Sequence, residues 1–211
     1  MNLIRSGIGA VILLTLAVTI LAYPGLPDQI PSHWNWSGEV DGYLQKFWGV
    51  LIVPLVMITF IALFALIPRI DPLRANYQKF QGYYEGFILV FALFLLFIQL
   101  QILLWGLGYP VSPNLLLPLI MGALFIGLGY LIEHAEPNWF VGIRTPWTLS
   151  SERVWKKTHA LGGTLFKIEG ILAMIGVVFG KYSIWFVIVP ILAVSVYLVI
   201  YSYREFGKEL H

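Results

Sequence analysis

Apolar residues run together in six blocks, near residues 6–23, 47–68, 86–107, 115–132, 161–180 and 183–203. A helix needs about 20 apolar residues to cross the hydrocarbon core of a bilayer. The pattern therefore predicts six transmembrane helices, the fourth the shortest and expected to be tilted or to sit in thin bilayer. Residues 108–114 and 181–182 leave room only for turns, whereas residues 23–46 and 133–159 are long and rich in polar groups. Long loops in a compact chain are more often functional than connective. No repeat, linker or low-complexity run divides the chain, so residues 1–211 are read as a single domain of the all-α membrane class.

Composition agrees: 59% of residues are hydrophobic and 11% charged, against roughly 25% charged in soluble domains. A net charge of +2 is too small to suggest nucleic-acid binding. The absence of cysteine excludes disulfides, thiolate metal sites and cysteine nucleophiles. With the N-terminus inside, ten of the 13 Lys and Arg fall in inner segments, Lys46 and Lys181 fall outside, and Lys167 lies within the fifth span. The positive-inside rule then places both termini in the cytoplasm, loop 1–2 outside and loop 4–5 inside. The first span, leaving through "TILAYPG", lacks a small-x-small cleavage site and is expected to remain uncleaved.

Loop 1–2 begins with Pro24, Pro27 and Pro31, which stiffen and extend the backbone. Ser37-Gly38 and Asp41-Gly42 then read as turns. His33, Asn35, Glu39 and Asp41 gather between stiff lead and turns. They form either a recognition site or a self-satisfied loop with Trp34, Trp36 and Trp48 as interface anchors. A divalent cation on His33 and Asp41 is the rarer alternative, since the spacing matches no standard zinc or EF-hand pattern; otherwise no cofactor is expected.

In loop 4–5, Arg144-Thr145-Pro146-Trp147 reads as a turn, and Thr148 or Ser150 as the cap of an amphipathic helix running into the fifth span. Arg144 has five fixed donors, suited to a carboxylate, a phosphate or the carbonyls of its own loop. Inside the membrane, Lys167 is within snorkelling reach of the interface. Glu169 is deeper and needs a partner or a proton, with Gln99 and Gln101 as candidate partners. Gly176-x-x-x-Gly180 suggests a close-packing face on the same helix.

Both loops together resemble the SdpI-type immunity-protein family of bacterial multi-pass membrane proteins. An N-terminal module within about residues 1–70 carries Leu26, Pro27, Ile30, Pro31, His33, Asn35, Gly38 and Asp41 in the pattern L-P-x-x-I-P-x-H-x-N-x-x-G-x-x-D. A second signature, within about residues 115–205, carries Asn138, Gly142, Ile143, Arg144, Thr145, Pro146, Trp147, Thr148, Trp155, Thr158 and His159. The resemblance implies six helices and protection against a secreted toxic peptide, with a signal passed to a cytoplasmic regulator in some members. Its recognition residues carry over as His33, Asn35, Gly38 and Asp41 outside, and as Asn138, Gly142, Arg144, Thr145, Trp147, Trp155 and His159 inside. Membrane lipid is the remaining expected partner. Two rival classes stay open. A small-solute or ion transporter would use Glu169, although no inverted repeat is visible. An intramembrane enzyme would pair His33 with Asp41 or His159 with Glu169 as acid–base groups, although no catalytic motif is present.

The orientation is directly testable. A cysteine placed at Ser37 is expected to react with an impermeant thiol reagent on intact cells, and one at Ser151 is not. Equal labelling of both contradicts a two-sided arrangement.

Overall fold

A computed structural model describes residues 3–209. Its helices are α1 (Leu3–Ala22), α2 (Lys46–Ile70), α3 (Tyr77–Gly106), α4 (Pro113–His134), α5 (Pro146–Ser150), α6 (Glu152–Gly176) and α7 (Trp185–Gly207). All but α5 lie in segments long and apolar enough to span a membrane, and the chain is a multi-pass membrane protein. Two helices start earlier than the apolar runs suggest. α3 takes in the polar residues 77–85, with a break from helical geometry at Phe80 (φ −125°, ψ 19°). α6 takes in residues 152–160, and its cap is Ser151, whose Oγ accepts from the Val154 amide. Thr148 and Ser150 instead belong to α5, which is capped by Thr145.

Loop 1–2 folds into an antiparallel hairpin of β1 (Gln29–Trp34) and β2 (Val40–Gln45). The sequence led us to expect a turn at Asp41-Gly42, but Gly42 is a strand residue opposite His33. A Cβ there would come within 2.9 Å of the His33 Cβ. The hairpin closes at Asn35–Glu39 instead, and Ser37-Gly38 does form the turn, with Gly38 at φ +86°.

The helices pack in two groups, joined by a core of Ile8, Tyr77, Phe80, Tyr84, Leu131 and Trp155 drawn from both. α1, α2 and α3 surround one core that includes Val11, Val50, Met57, Ala92 and Leu96, with Leu26 and Ile30 of the hairpin region inserted at its end. α4, α6 and α7 enclose a second that includes Phe125, Ile132, Phe166, Val187 and Leu198. α4 and α6 approach through two pairs of glycines. A Cβ on Gly122 would lie 2.5 Å from the Gly170 carbonyl oxygen, and one on Gly129 would lie 2.7 Å from that of Gly163. Only hydrogen side chains permit this backbone contact, as expected where close packing drives helix association in lipid. The pair Gly176 and Gly180 does not supply it: Gly176 faces Phe186, and Gly180 is a turn residue at φ +57°. Beside the glycines Lys167 bonds Glu133 at 2.8 Å, so it pairs across helices rather than only reaching for the interface.

Four prolines lie inside helices: Pro54, Pro68, Pro118 and Pro190. Each lacks the amide that would bond the carbonyl four residues earlier. For three of them another segment supplies the donor. Gln99 Nε2 donates to the Val50 carbonyl at 3.1 Å, the Tyr84 hydroxyl to Phe64 at 2.7 Å, and the Ser183 hydroxyl to Asn114 at 2.9 Å. Gln99 also donates to Thr19 Oγ1 at 2.9 Å, so both protons of its amide nitrogen are used within the α1–α3 group and not at Glu169.

An unsatisfied buried carbonyl costs about 1–3 kcal/mol. Tyr84→Phe is therefore expected to lower the stability of the detergent-solubilised protein by about that amount. Pro68→Ala restores an amide donor, so Tyr84→Phe in that background is expected to be nearly silent. A double-mutant thermal-unfolding cycle checks this, and equal losses in both backgrounds contradict the compensation.

Candidate functional site

The hairpin is held at both ends. At its base Ile30 is fully buried between Gly49 and Gly106, where a Cβ on Gly49 would collide with it, and Lys46 Nζ donates to the Leu26 carbonyl at 2.6 Å. At its tip Asn35 Oδ1 accepts from the Ser37 and Glu39 amides, each at 3.0 Å, and from the Ser37 hydroxyl at 2.8 Å. Asn35 Nδ2 returns a bond to Glu39. Asn114, in the first turn of α4, donates to the Ser37 carbonyl at 2.9 Å. Gly38 is required here twice over, because its φ is positive and a Cβ would sit 2.9 Å from the Asn114 amide nitrogen.

This frame presents His33 and Asp41, joined Nδ1 to Oδ1 at 2.5 Å across the two strands, to the surface. Their side chains are 71% and 45% exposed, so the pair is available to a ligand rather than holding the core. Among the described residues no third His, Asp or Glu joins them in a metal-binding group. Beneath lies an open cavity of about 450 Å³, lined by His33, Trp34, Asn35, Trp36, Gln101 and Asn114 among others. Trp34 packs edge-on against Trp105, and among the described residues its buried indole N–H has no hydrogen-bond partner. Trp36 and Trp48 are more than half exposed, and Trp36 stacks on Tyr182. The structure thus brings His33, Asn35, Gly38 and Asp41 into one unit.

The loop 4–5 residues form a different arrangement at the opposite end of the bundle. Asn138, 1% exposed, accepts at Oδ1 from the Phe140 and Val141 amides and from the Tyr77 hydroxyl, and donates through Nδ2 to the Glu136 and Val141 carbonyls. Trp155 donates to the Ala135 carbonyl at 2.7 Å and stacks on His159 at 3.9 Å. His159 accepts at Nε2 from the Ile143 amide, and its Nδ1 bonds the Trp155 carbonyl. An amide can only donate and a carbonyl only accept, so this pattern fixes the neutral imidazole with its proton on Nδ1. Gly142, at φ +117°, leaves the space that the His159 ring fills. Thr145 caps α5 and reaches Ser202 of α7 at 3.0 Å, while Trp147 packs on Tyr203. Arg144 is the exposed member, donating to the Trp139 carbonyl at 2.5 Å and to neither Glu133 nor Glu136.

Three residues of this second unit were missed from sequence: Asp71, Tyr77 and Ser202. Asp71 is 2% exposed and accepts from the Leu73 and Trp139 amides, and it shares the one Tyr77 hydroxyl proton with Asn138, each acceptor lying at 3.1 Å, tying the α2–α3 connection to loop 4–5. Its signal was an acid set before Pro72 at the end of a span. Glu209 lies outside the spans. Hydrogen bonds from Ser151 and Arg153 hold its carboxyl below the usual carboxylate range, tying the chain's end to the start of α6.

Glu169 stands apart from both units. It is 1% exposed on the buried face of α6, with Phe166 and Ala173, and among the described residues neither carboxyl oxygen has a hydrogen-bond partner. It is about seven residues along α6 from Gly162 and nearly three turns from His159, which it does not touch as an acid–base pair would.

Comparison with known proteins follows the same division. The profile of a domain of unknown function, DUF1648, matches residues 10–58, which hold the hairpin. The profile of the SdpI/YfhL protein family matches residues 134–203, which hold loop 4–5, α6 and most of α7. The chain is 29% identical over 199 residues to the immunity protein SdpI of Bacillus subtilis (strain 168), covering 94% of this chain and 93% of that protein. No solved structure matches the chain.

The loop 4–5 geometry predicts opposite outcomes at neighbouring positions. Gly142→Ala forces a positive φ on an L side chain and drives a methyl into His159, and is expected to cost at least about 1–3 kcal/mol of stability. Arg144→Lys, at an exposed site, is expected to cost less than about 1 kcal/mol. Thermal unfolding of the two variants in detergent checks this, and a larger loss from Arg144→Lys contradicts the assignment.

Proposed function

We propose that this chain is an immunity protein of the SdpI/YfhL type, that its hairpin recognises a secreted toxic peptide at the outer face of the cell membrane, and that loop 4–5 reports the event to a cytoplasmic partner. The chain is a multi-pass membrane protein, and its match to an immunity protein extends along nearly its whole length. The observation that carries the recognition role is the His33–Asp41 pair. Two polar side chains are held at 2.5 Å on a braced hairpin, exposed, above an open cavity. A ligand reaching that surface meets an imidazole, a carboxylate and the exposed ring of Trp36 without the hairpin having to unfold. Such preorganisation lowers the entropic cost of binding. The reporting role draws on the exposed Arg144, which stands on a loop that Asp71, Asn138 and His159 keep rigid.

Expression in a toxin-sensitive Bacillus subtilis strain lacking its own immunity protein tests the proposal. Cells carrying the chain are expected to survive the culture supernatant of a peptide-toxin producer. His33→Ala and Asp41→Ala are expected to abolish survival at unchanged abundance in the membrane. Full survival with both variants removes the pair from recognition, and failure of the wild-type chain to protect removes the function.

A further inference from the structure

At the end of the bundle opposite the hairpin, a second cavity opens between α1 and the α2–α3 connection, with a volume of about 650 Å³. Three arginines line it: Arg5, Arg69 and Arg74. Arg5 is committed to Glu85, with Nε and Nη2 at 2.9 and 2.6 Å from one carboxyl oxygen, and Gln81 holds the same oxygen at 2.7 Å. Arg69 and Arg74 are exposed and make no hydrogen bond or ion pair among the described residues. The cavity therefore carries two uncompensated positive charges at its rim. Its deeper wall is apolar, with Ile8, Ile61, Phe64 and Ile88.

Each half of this lining excludes a simpler occupant. A small inorganic anion would satisfy the arginines and leave the apolar wall uncovered. An uncharged apolar segment would cover the wall and leave two guanidinium groups unpaired. Arg69 closes the last turn of a membrane-spanning helix and Arg74 precedes the next, so both stand at headgroup level while the wall runs toward the hydrocarbon. A basic pocket between spans with an apolar floor fits one chemistry: a phosphate diester carrying acyl chains.

We propose that this cavity holds one anionic phospholipid, its headgroup phosphate on Arg69 and Arg74 and an acyl chain along Ile61, Phe64 and Ile88. Arginine suits the role because its planar fork meets two phosphate oxygens at once and never loses its charge. The site also bears on loop 4–5. The lipid would grip the α2–α3 connection from one side, while Asp71 in the same connection is bound to the Trp139 amide on the other.

Native mass spectrometry of the full chain in detergent, with defined lipids added, tests this. The wild-type protein is expected to retain one phosphatidylglycerol per chain through collisional activation and to retain phosphatidylcholine far less. Arg69→Gln with Arg74→Gln is expected to weaken phosphatidylglycerol retention on the order of tenfold or more. Lys156→Gln with Arg204→Gln removes the same charge from cations elsewhere on the surface and is expected to leave retention unchanged. Equal retention of the two lipids by the wild-type protein overturns the proposal. So does an equal loss in the second double variant, or displacement of the lipid by millimolar inorganic phosphate, which would make the site one for the free anion. Should the Arg69, Arg74 variant fail to fold, the lipid comparison and the phosphate competition on the wild-type protein still decide.

Discussion

In hydrocarbon, a backbone carbonyl without a donor has no water to turn to, and four prolines inside spanning helices create that deficit here. The way three of the deficits are filled organises the molecule. Gln99 and Tyr84, both on α3, reach carbonyls of α2 near opposite ends of that helix. Ser183, between α6 and α7, reaches the first turn of α4. Local breaks in three ladders thus become bonds between segments. A proline that weakens its own helix fixes the register of its neighbour, because the donor must arrive at one particular carbonyl.

The two helix groups solve the packing problem differently. α1, α2 and α3 use large apolar side chains and cross-helix polar bonds. α4 and α6 use direct backbone approach at two glycine pairs spaced seven residues apart on each helix, flanked by the Lys167–Glu133 ion pair. Water does not drive helices together in lipid, so contact area and polar bonds must. The wide spread of packed aromatic rings between α2 and α3, including Phe64 with Tyr84 and Phe91, meets the same need by another route.

How much of this was legible in the sequence depends on the range of the interaction involved. The six spans could be read directly, because an apolar run of membrane length has few other uses. The Asn35 turn and the requirement for Gly38 could be read from local turn chemistry. The hairpin could not. Its strands carry a proline and little alternation, and what pairs them is Ile30 fitting between Gly49 and Gly106, a contact across 76 positions of chain at its widest. The two glycine pairs were present as Gly-x6-Gly in both α4 and α6, but only the antiparallel alignment of those helices makes them meet. In loop 4–5 the signature residues were visible and their partners were not. Asn138, Gly142 and His159 look like ligand groups in one dimension, and in three their polar atoms are occupied by the chain itself. Asp71 escaped notice because its importance comes from Trp139, which lies 68 positions away.

The hairpin's attachment has a mechanical consequence. Its base is wedged into the α1–α3 group by Leu26 and Ile30, while its tip is tied to the other group by the Asn114–Ser37 bond and the stack of Trp36 on Tyr182. It works as a clasp across the seam between the two groups, with one strong hinge and one weak latch. A net hydrogen bond is worth about 1 kcal/mol and an aromatic pair about 0.5–1.5, whereas withdrawing the buried Leu26 and Ile30 costs roughly 1.5–3 for each. Force applied to the tip therefore opens the latch before it disturbs the hinge. The hairpin would swing away from α4 still anchored to its own half, so the first thing such a motion changes is the seam.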